Sequence, residues 1–77
     1  MKTTKKAYKI YIGKLKKSFK DFPIGSRLKL EYNEAVEKWN IRSNTEFEYY
    51  FDTFKTEEVN EFFEDIKYLR TDIYKRV

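Results

Sequence analysis

Side chains that commonly catalyse reactions at neutral pH are scarce in this sequence. It contains no histidine and no cysteine, so the commonest general base, the thiol nucleophile and the soft metal ligands are all missing. Serine occurs only at Ser18, Ser26 and Ser43, and the two glycines cannot form a Gly-rich phosphate loop. Glu61 and Asp65 have the types needed for an acid–base pair, but nothing in so short a chain suggests a cleft around them. We therefore expect a binding protein rather than an enzyme, without a cofactor or a metal.

Charge is distributed unevenly along the chain, whose net charge is +4. Residues 1–30 contain ten Lys/Arg and a single acid, Asp21, whereas residues 31–77 contain seven Lys/Arg and twelve Asp/Glu. A basic region favours phosphate backbones and other acidic partners, and an acidic region favours basic protein surfaces. The two parts of the chain therefore suit partners of opposite charge.

A basic face is predicted for the first segment. Tyr8, Tyr11, Ile12 and Leu15 are spaced i, i+3, i+4 and i+7, which predicts an amphipathic helix ending near Pro23. Lysines on its other face would contact nucleic-acid phosphates without reading base sequence, because lysine lacks the bidentate fork of arginine. An anionic membrane surface, an acidic protein and a merely solvated face remain alternatives. The predicted nucleic-acid-binding residues are Lys6, Lys9, Lys16, Lys17 and Lys20.

An acidic face is predicted for the last segment. Apolar residues with helical spacing run from Val59 to Ile73 and predict a helix over about 56–75. Like-charged neighbours on its other face, such as Glu57 and Glu61, slightly destabilise a helix, so stability alone would not select them. We interpret this face as a recognition surface for a basic protein groove, with a solvated face as the alternative. The predicted partner-binding residues are Glu57, Glu61, Glu64, Asp65, Tyr68 and Asp72.

Aromatic residues are concentrated in one part of the chain. Seven of them fall within seventeen positions: Phe47, Tyr49, Tyr50, Phe51, Phe54, Phe62 and Phe63. One face of one short element cannot hold them all. We expect most of this cluster to form core and the rest to anchor a partner, because tyrosine and tryptophan are enriched at interface hot spots. Trp39 is expected to be buried against aromatic residues of the first helix, such as Phe19.

The middle of the chain fits two kinds of secondary structure. Residues 27–40 and 46–54 match both the helical and the strand period. We predict helices, which gives a mostly α domain of three or four helices over residues 1–77. The alternative is an α+β domain with short strands near 27–32 and 46–52 between two helices. Because a 77-residue core without disulfides is marginal, we also predict a homodimer in which the basic first helix meets the acidic last helix.

These features predict a non-catalytic protein-interaction module whose acidic and aromatic surface binds a partner with a basic surface. By analogy, small phage or mobile-element inhibitors that bind a host nucleic-acid-handling protein have this size and charge character. The alternative is a sequence-independent nucleic-acid-binding protein that uses the basic first helix. No apolar run approaches the roughly 18 residues that span a membrane, and no secretory signal is visible, so we expect no membrane partner and a cytoplasmic protein.

Overall fold

The computed structural model describes the backbone of residues 4–76 and the side chains of residues 7–73. The described chain forms one antiparallel sheet of five strands with one short helix, in the spatial order β4-β3-β2-β1-β5. The prediction of a mostly α domain is therefore wrong, and the long helices that flank the α+β alternative are wrong as well. The elements are β1 (Thr4–Leu15), β2 (Arg27–Asn33), β3 (Lys38–Arg42), β4 (Tyr50–Phe54), α1 (Thr56–Phe62) and β5 (Phe63–Arg76).

β1 replaces the predicted first helix because it is a central strand, paired with β2 on one side and β5 on the other. Its apolar residues are divided between the two faces of the sheet. Tyr11 and Leu15 point to the same face as the core, and Tyr8, Ile10 and Ile12 point to the opposite face. Taken together, residues of both faces imitate the i, i+3, i+4, i+7 spacing of a helix, which explains the wrong prediction.

The predicted last helix exists only as α1. Glu57 and Glu58 lie in its first turn, and the Lys55 amide donates to Oε1 of Glu58 at 3.1 Å. From Phe63 onward the chain is a strand that pairs with β1 along its whole length. The described helix is thus about two turns long, and most of the predicted acidic face falls on a strand instead.

Two β-bulges explain why β5 imitates a helix in the sequence. Its register against β1 shifts once at Leu69 and once near Asp65, whose φ is 53°. Each bulge inserts an extra residue and interrupts strict alternation. The core-facing residues of β5 are therefore spaced alternately by three and by two, and they are Phe63, Ile66, Tyr68, Thr71 and Ile73.

The sheet curls around its core. β4 and β5 are opposite edges in the strand order, yet the rings of Phe54 and Phe63 lie with centroids only 6.4 Å apart. α1 bridges the two edges and contributes the buried Val59. The core face is thus concave. Its buried side chains are Leu15, Phe19, Leu28, Leu30, Ile41, Phe54, Val59 and Phe63.

Trp39 lies at the border of this core and does not pack against a first helix. Its ring is half-buried, with centroid distances of 4.6 Å to Tyr32 and 5.3 Å to Tyr11. Its Nε1 donates a hydrogen bond to Oγ1 of Thr56 at 3.0 Å. The expected packing on Phe19 of a first helix is wrong, because the neighbours of Trp39 are strand residues brought together by the β1–β2–β3 register.

Candidate functional site

The convex face of the sheet, opposite the core, carries mostly charged side chains. Residues directly opposite each other on antiparallel strands share a face, so the strand registers identify its members. Among the described side chains its acids are Glu31, Glu64 and Asp72. Its basic residues are Lys14, Arg27, Lys29, Lys38, Arg42, Lys67 and Arg70. The face therefore has a basic excess, although several of these charges are paired with one another or with a neighbouring loop.

A buried ionic network occupies the centre of this face. Oε1 of Glu31 accepts hydrogen bonds from Nδ2 of Asn40 at 3.0 Å and from Nε of Arg42 at 3.3 Å. The Lys29 side chain, 9 % exposed, forms an ion pair with Glu48. Burial lowers the pKa of the Lys29 ammonium below its usual 10.5, and Arg70 acts in the same direction. Beneath these groups Ile10 is fully buried, so the network closes over an apolar side chain.

Three exposed aromatic side chains stand at one end of this network. They belong to residues 43–50, which we call the aromatic loop, between β3 and the start of β4. Phe47 is 73 % exposed, Tyr49 is 62 % and Tyr50 is 54 %. The rings of Phe47 and Tyr49 are stacked, with centroids 5.9 Å apart. The adjoining rings of Phe47 and Tyr49 therefore form an exposed aromatic surface, which is costly in water and is characteristic of an interaction site.

Hydrogen bonds fix the two ends of the aromatic loop to each other. The Ser43 amide donates to the Tyr49 carbonyl at 2.8 Å, and the Tyr49 amide donates to Oγ of Ser43, also at 2.8 Å. Ser43 itself is buried, and its hydroxyl also hydrogen-bonds Oγ1 of Thr45 at 3.0 Å. These bonds restrain the backbone that carries Phe47 and Tyr49, and such restraint lowers the entropic cost of association.

The ionic network anchors the same loop to the convex face. Nη1 of Arg42 donates to the Glu48 carbonyl at 3.3 Å, and Lys29 contacts the Glu48 carboxylate. The Arg42 guanidinium also lies over the Tyr50 ring, 5.6 Å from its centroid. Because Arg42 is held in turn by Glu31, the Tyr50 ring and the Glu48 backbone are both anchored to the ion cluster.

The charge of this region is acidic once the anchoring cations are set aside. Residues 43–52 contain Glu46, Glu48 and Asp52 but no Lys or Arg. The sequence had marked these aromatic residues as a cluster but had not separated core from surface. In the structure Phe54 and Phe63 are buried, and Phe51 and Phe62 pack on the core, so the exposed members of the cluster are those of the aromatic loop. Nothing in the sequence indicated that Lys29 and Arg42 anchor this loop.

The predicted acidic recognition residues do not share one face. Glu57 and Glu61 lie on α1, and Glu61 forms an ion pair with Lys17 at 2.8 Å. The other four lie on β5: the registers place Glu64 and Asp72 on the convex face and Tyr68 on the concave face, while Asp65 is next to a bulge. Asp72 accepts a hydrogen bond from Nε of Arg70 at 2.8 Å. The predicted acidic face required a helix over about 56–75, but the helix ends at Phe62.

The predicted basic residues are also dispersed. Lys9 lies on β1 and pairs with Glu34, while Lys16, Lys17 and Lys20 lie in the β1–β2 connection at the far end of that strand. Partners raise the pKa of Lys9, first through its hydrogen bond and charge interaction with Glu34. The side chain of Lys6 lies outside the described residues.

Within the described residues, no group of three or more acidic side chains is arranged to hold a metal ion, and no helix is long and apolar enough to cross a membrane. A cleft of about 320 Å³ lies between the β2–β3 turn and α1 and is lined in part by Tyr32, Lys38 and Thr56. It is open to solvent, and we assign no chemistry to it.

Comparisons of this chain with protein-family models, with curated proteins and with solved structures found no match.

Proposed function

We propose that this protein is a non-catalytic protein-interaction module that binds its partner through the aromatic loop. The observation that carries the proposal is the exposure of Phe47, Tyr49 and Tyr50 on a loop whose backbone is already fixed. Large rings presented rigidly supply contact area at a small entropic cost, and they dominate the energy of protein interfaces. A loop needed only to connect β3 with β4 would gain nothing from exposing them.

The acids around these rings favour a partner surface that is basic and contains apolar pockets. Glu46 and Asp52 flank the rings, and no Lys or Arg interrupts residues 43–52. Proteins that handle nucleic acid present such basic surfaces, and we retain them as the proposed partner class. Inhibition of that partner, an origin in a mobile element and a cytoplasmic location remain parts of the proposal that rest on sequence character alone.

Site-specific photocrosslinking tests this proposal directly. A photoreactive phenylalanine analogue replaces Phe47 in one sample and Ile24 in the control, because Ile24 is 67 % exposed on the β1–β2 connection. We expect one defined crosslinked protein from position 47 and none from position 24. That protein should be displaced by excess duplex DNA if its basic surface is a nucleic-acid groove. Equal crosslinking from both positions, or none from position 47 in the native host extract, contradicts the proposal.

A second candidate function, sequence-independent nucleic-acid binding, is favoured by the position of the basic excess. Residues 7–73 contain twelve Lys/Arg and thirteen Asp/Glu, whereas residues 1–6 and 74–77 contain five Lys/Arg and no acid. The register pairs Lys5 with Lys75 and Thr4 with Arg76, so four of these basic residues lie at one end of the β1–β5 ribbon. A two-stranded ribbon fits the major groove of DNA.

Salt dependence separates the two functions. If the ribbon end contacts phosphates, affinity for a plain duplex should fall steeply with added salt, and Lys5→Gln with Lys75→Gln should flatten that slope by about one unit per lost contact. The aromatic-loop proposal predicts no duplex binding at physiological salt. Fluorescence anisotropy with a labelled duplex decides between them.

A further inference from the structure

The outer edge of β5 is a candidate pairing surface. Within residues 4–76, β5 pairs with β1 on one side and with no other strand on the other. At 14 residues it is the longest strand of the sheet. Tyr68, Leu69 and Ile73 are 55 %, 50 % and 63 % exposed along it. A long edge with exposed apolar side chains is a template for pairing with another strand.

We propose that β5 pairs antiparallel with β5 of a second copy of this chain, about a two-fold axis between Leu69 and Arg70. The occupant is a second copy because the strand is complementary to itself in this register. Lys67 falls opposite Asp72 of the second copy, and Tyr68 falls opposite Thr71. Farther from the axis, Ile66 falls opposite Ile73. Each pair occurs twice, as an isologous interface requires.

The faces of the strand match in the same register. Opposite residues on antiparallel strands must point to the same side of the sheet. The pairing with β1 places Lys67 and Asp72 on the convex face, and Tyr68 and Thr71 on the concave face. Ile66 packs on the core and Ile73 lies opposite Ala7, so both are concave as well.

This match depends on the bulge at Leu69. In a strictly alternating strand, residues 68 and 71 point to opposite faces, and the proposed pairing would put every side chain on the wrong side. The extra residue shifts the alternation by one and restores agreement for all three pairs. The bulge, the charges and the apolar residues therefore support the same register.

The assembly leaves the aromatic loops free. The loop leads into β4, which is the opposite edge of the sheet from β5. A dimer built through β5 therefore carries two aromatic loops, neither of which takes part in the β5–β5 pairing. The β5 inference is independent of the proposed function, since it is tested without any partner.

Cysteine pairing tests the register, because the chain has no cysteine of its own. Opposite residues in an antiparallel pair have Cα atoms about 4.5–5.5 Å apart, which is within disulfide range. Tyr68→Cys mixed with Thr71→Cys should give a disulfide-linked dimer under mild oxidation. Thr53→Cys, on the β4 edge, mixed with Thr71→Cys is the matched control and should stay monomeric on a non-reducing gel. Equal linkage in both mixtures overturns the proposal.

Charge exchange tests the energetics by sedimentation equilibrium. Lys67→Asp sets the new carboxylate opposite Asp72 of the second copy, at two places in the dimer, and should weaken dimerisation about ten-fold. Lys67→Asp combined with Asp72→Lys should recover most of that loss, and Lys16→Asp, which changes the same charge away from β5, should have no effect. Ile73→Lys is a second variant at an exposed site and should also dissociate the dimer. A wild-type protein that is monomeric at roughly 100 µM, or a dimer unaffected by Lys67→Asp and Ile73→Lys, overturns the proposal.

Discussion

A β-carbon built on Gly13 would lie 2.7 Å from Cδ1 of Leu30, closer than real β-carbons approach other atoms. Gly13 points from β1 into the concave face, where Leu30 is fully buried and has little room to move. Phe63 closes the same space from β5, with its Cδ1 at 3.0 Å from the built atom. The absence of a side chain at position 13 thus lets three strands pack closely over the core.

Substitution of Gly13 should therefore destabilise the protein by overpacking. We expect Gly13→Ala to lower the free energy of unfolding by about 1–3 kcal/mol and Gly13→Val to lower it further. Urea denaturation followed by circular dichroism measures both. Lys16→Ala, at an exposed site, is the control and should stay within about 0.5 kcal/mol of wild type. A Gly13→Ala variant as stable as wild type would mean that β1 does not pack as described.

Removing a cation from the buried ion cluster should change the free energy of unfolding differently from removing its acid. Lys29→Met removes a buried cation and leaves Glu48 to solvent, so we expect the free energy of unfolding to stay constant or rise by about 1 kcal/mol. Glu31→Met leaves Arg42 without its carboxylate partner and Asn40 without its hydrogen-bond acceptor, and should lower the free energy of unfolding by about 2–3 kcal/mol. Thermal and urea unfolding of both variants provide the test. Equal destabilisation by the two changes would contradict the described network.

The lowered pKa of Lys29 gives a dependence on pH with a defined sign. Because the folded-state pKa lies below the unfolded value of 10.5, the unfolded chain binds more protons in the interval between them. The wild type should therefore gain stability relative to Lys29→Met as pH rises toward the unfolded-state value of 10.5. Unfolding of both proteins across this range checks it. A difference that is constant with pH, or that changes in the other direction, would show that the Lys29 pKa is not lowered.

The hydrogen bond between Trp39 and Thr56 joins β3 to the start of α1 and can be tested with a matched pair of variants. Thr56→Val removes the acceptor and should cost about 1 kcal/mol, whereas Thr56→Ser keeps it and should cost less. Trp39 is the only tryptophan, so its fluorescence follows the same change. Identical stability and emission for both variants would exclude a role for this bond.

The sequence predicted that a helix begins near residue 56 and that most of the aromatic cluster is core, because both depend on local composition. It gave strands only in the α+β alternative, whose strand near 27–32 coincides with β2, and it missed β1 and β5. β1 is buried on both faces, so Tyr8, Tyr11, Ile12 and Leu15 combine into a false helical pattern. The bulges of β5 do the same for Phe63, Ile66 and Tyr68, since the register that reveals them exists only after the strands have paired.

The candidate site was hidden for the same reason. Glu48 and Tyr50 are close to each other in the sequence, but Lys29 and Arg42 reach them only through the β2–β3 pairing. The predicted acidic and basic stripes assumed helical faces, and the structure distributes those residues over α1, the β1–β2 connection and both faces of the sheet. Phe47 and Tyr49 could be identified as exposed aromatic residues only once Phe54 and Phe63 had been placed in the core.

The most direct test of the proposed function is to measure how tightly the crosslinked partner binds a variant whose aromatic loop lacks two of its rings. Phe47→Ser combined with Tyr49→Ser removes two exposed rings, so its unfolding free energy should change by only about 0.5 kcal/mol per site. Isothermal titration calorimetry should show at least a hundred-fold loss of affinity for this variant, as expected when about 3 kcal/mol of hot-spot contact is removed. Ile24→Ser, an equally exposed apolar site on another loop, should bind like the wild type. A folded double variant that binds with wild-type affinity would contradict the account.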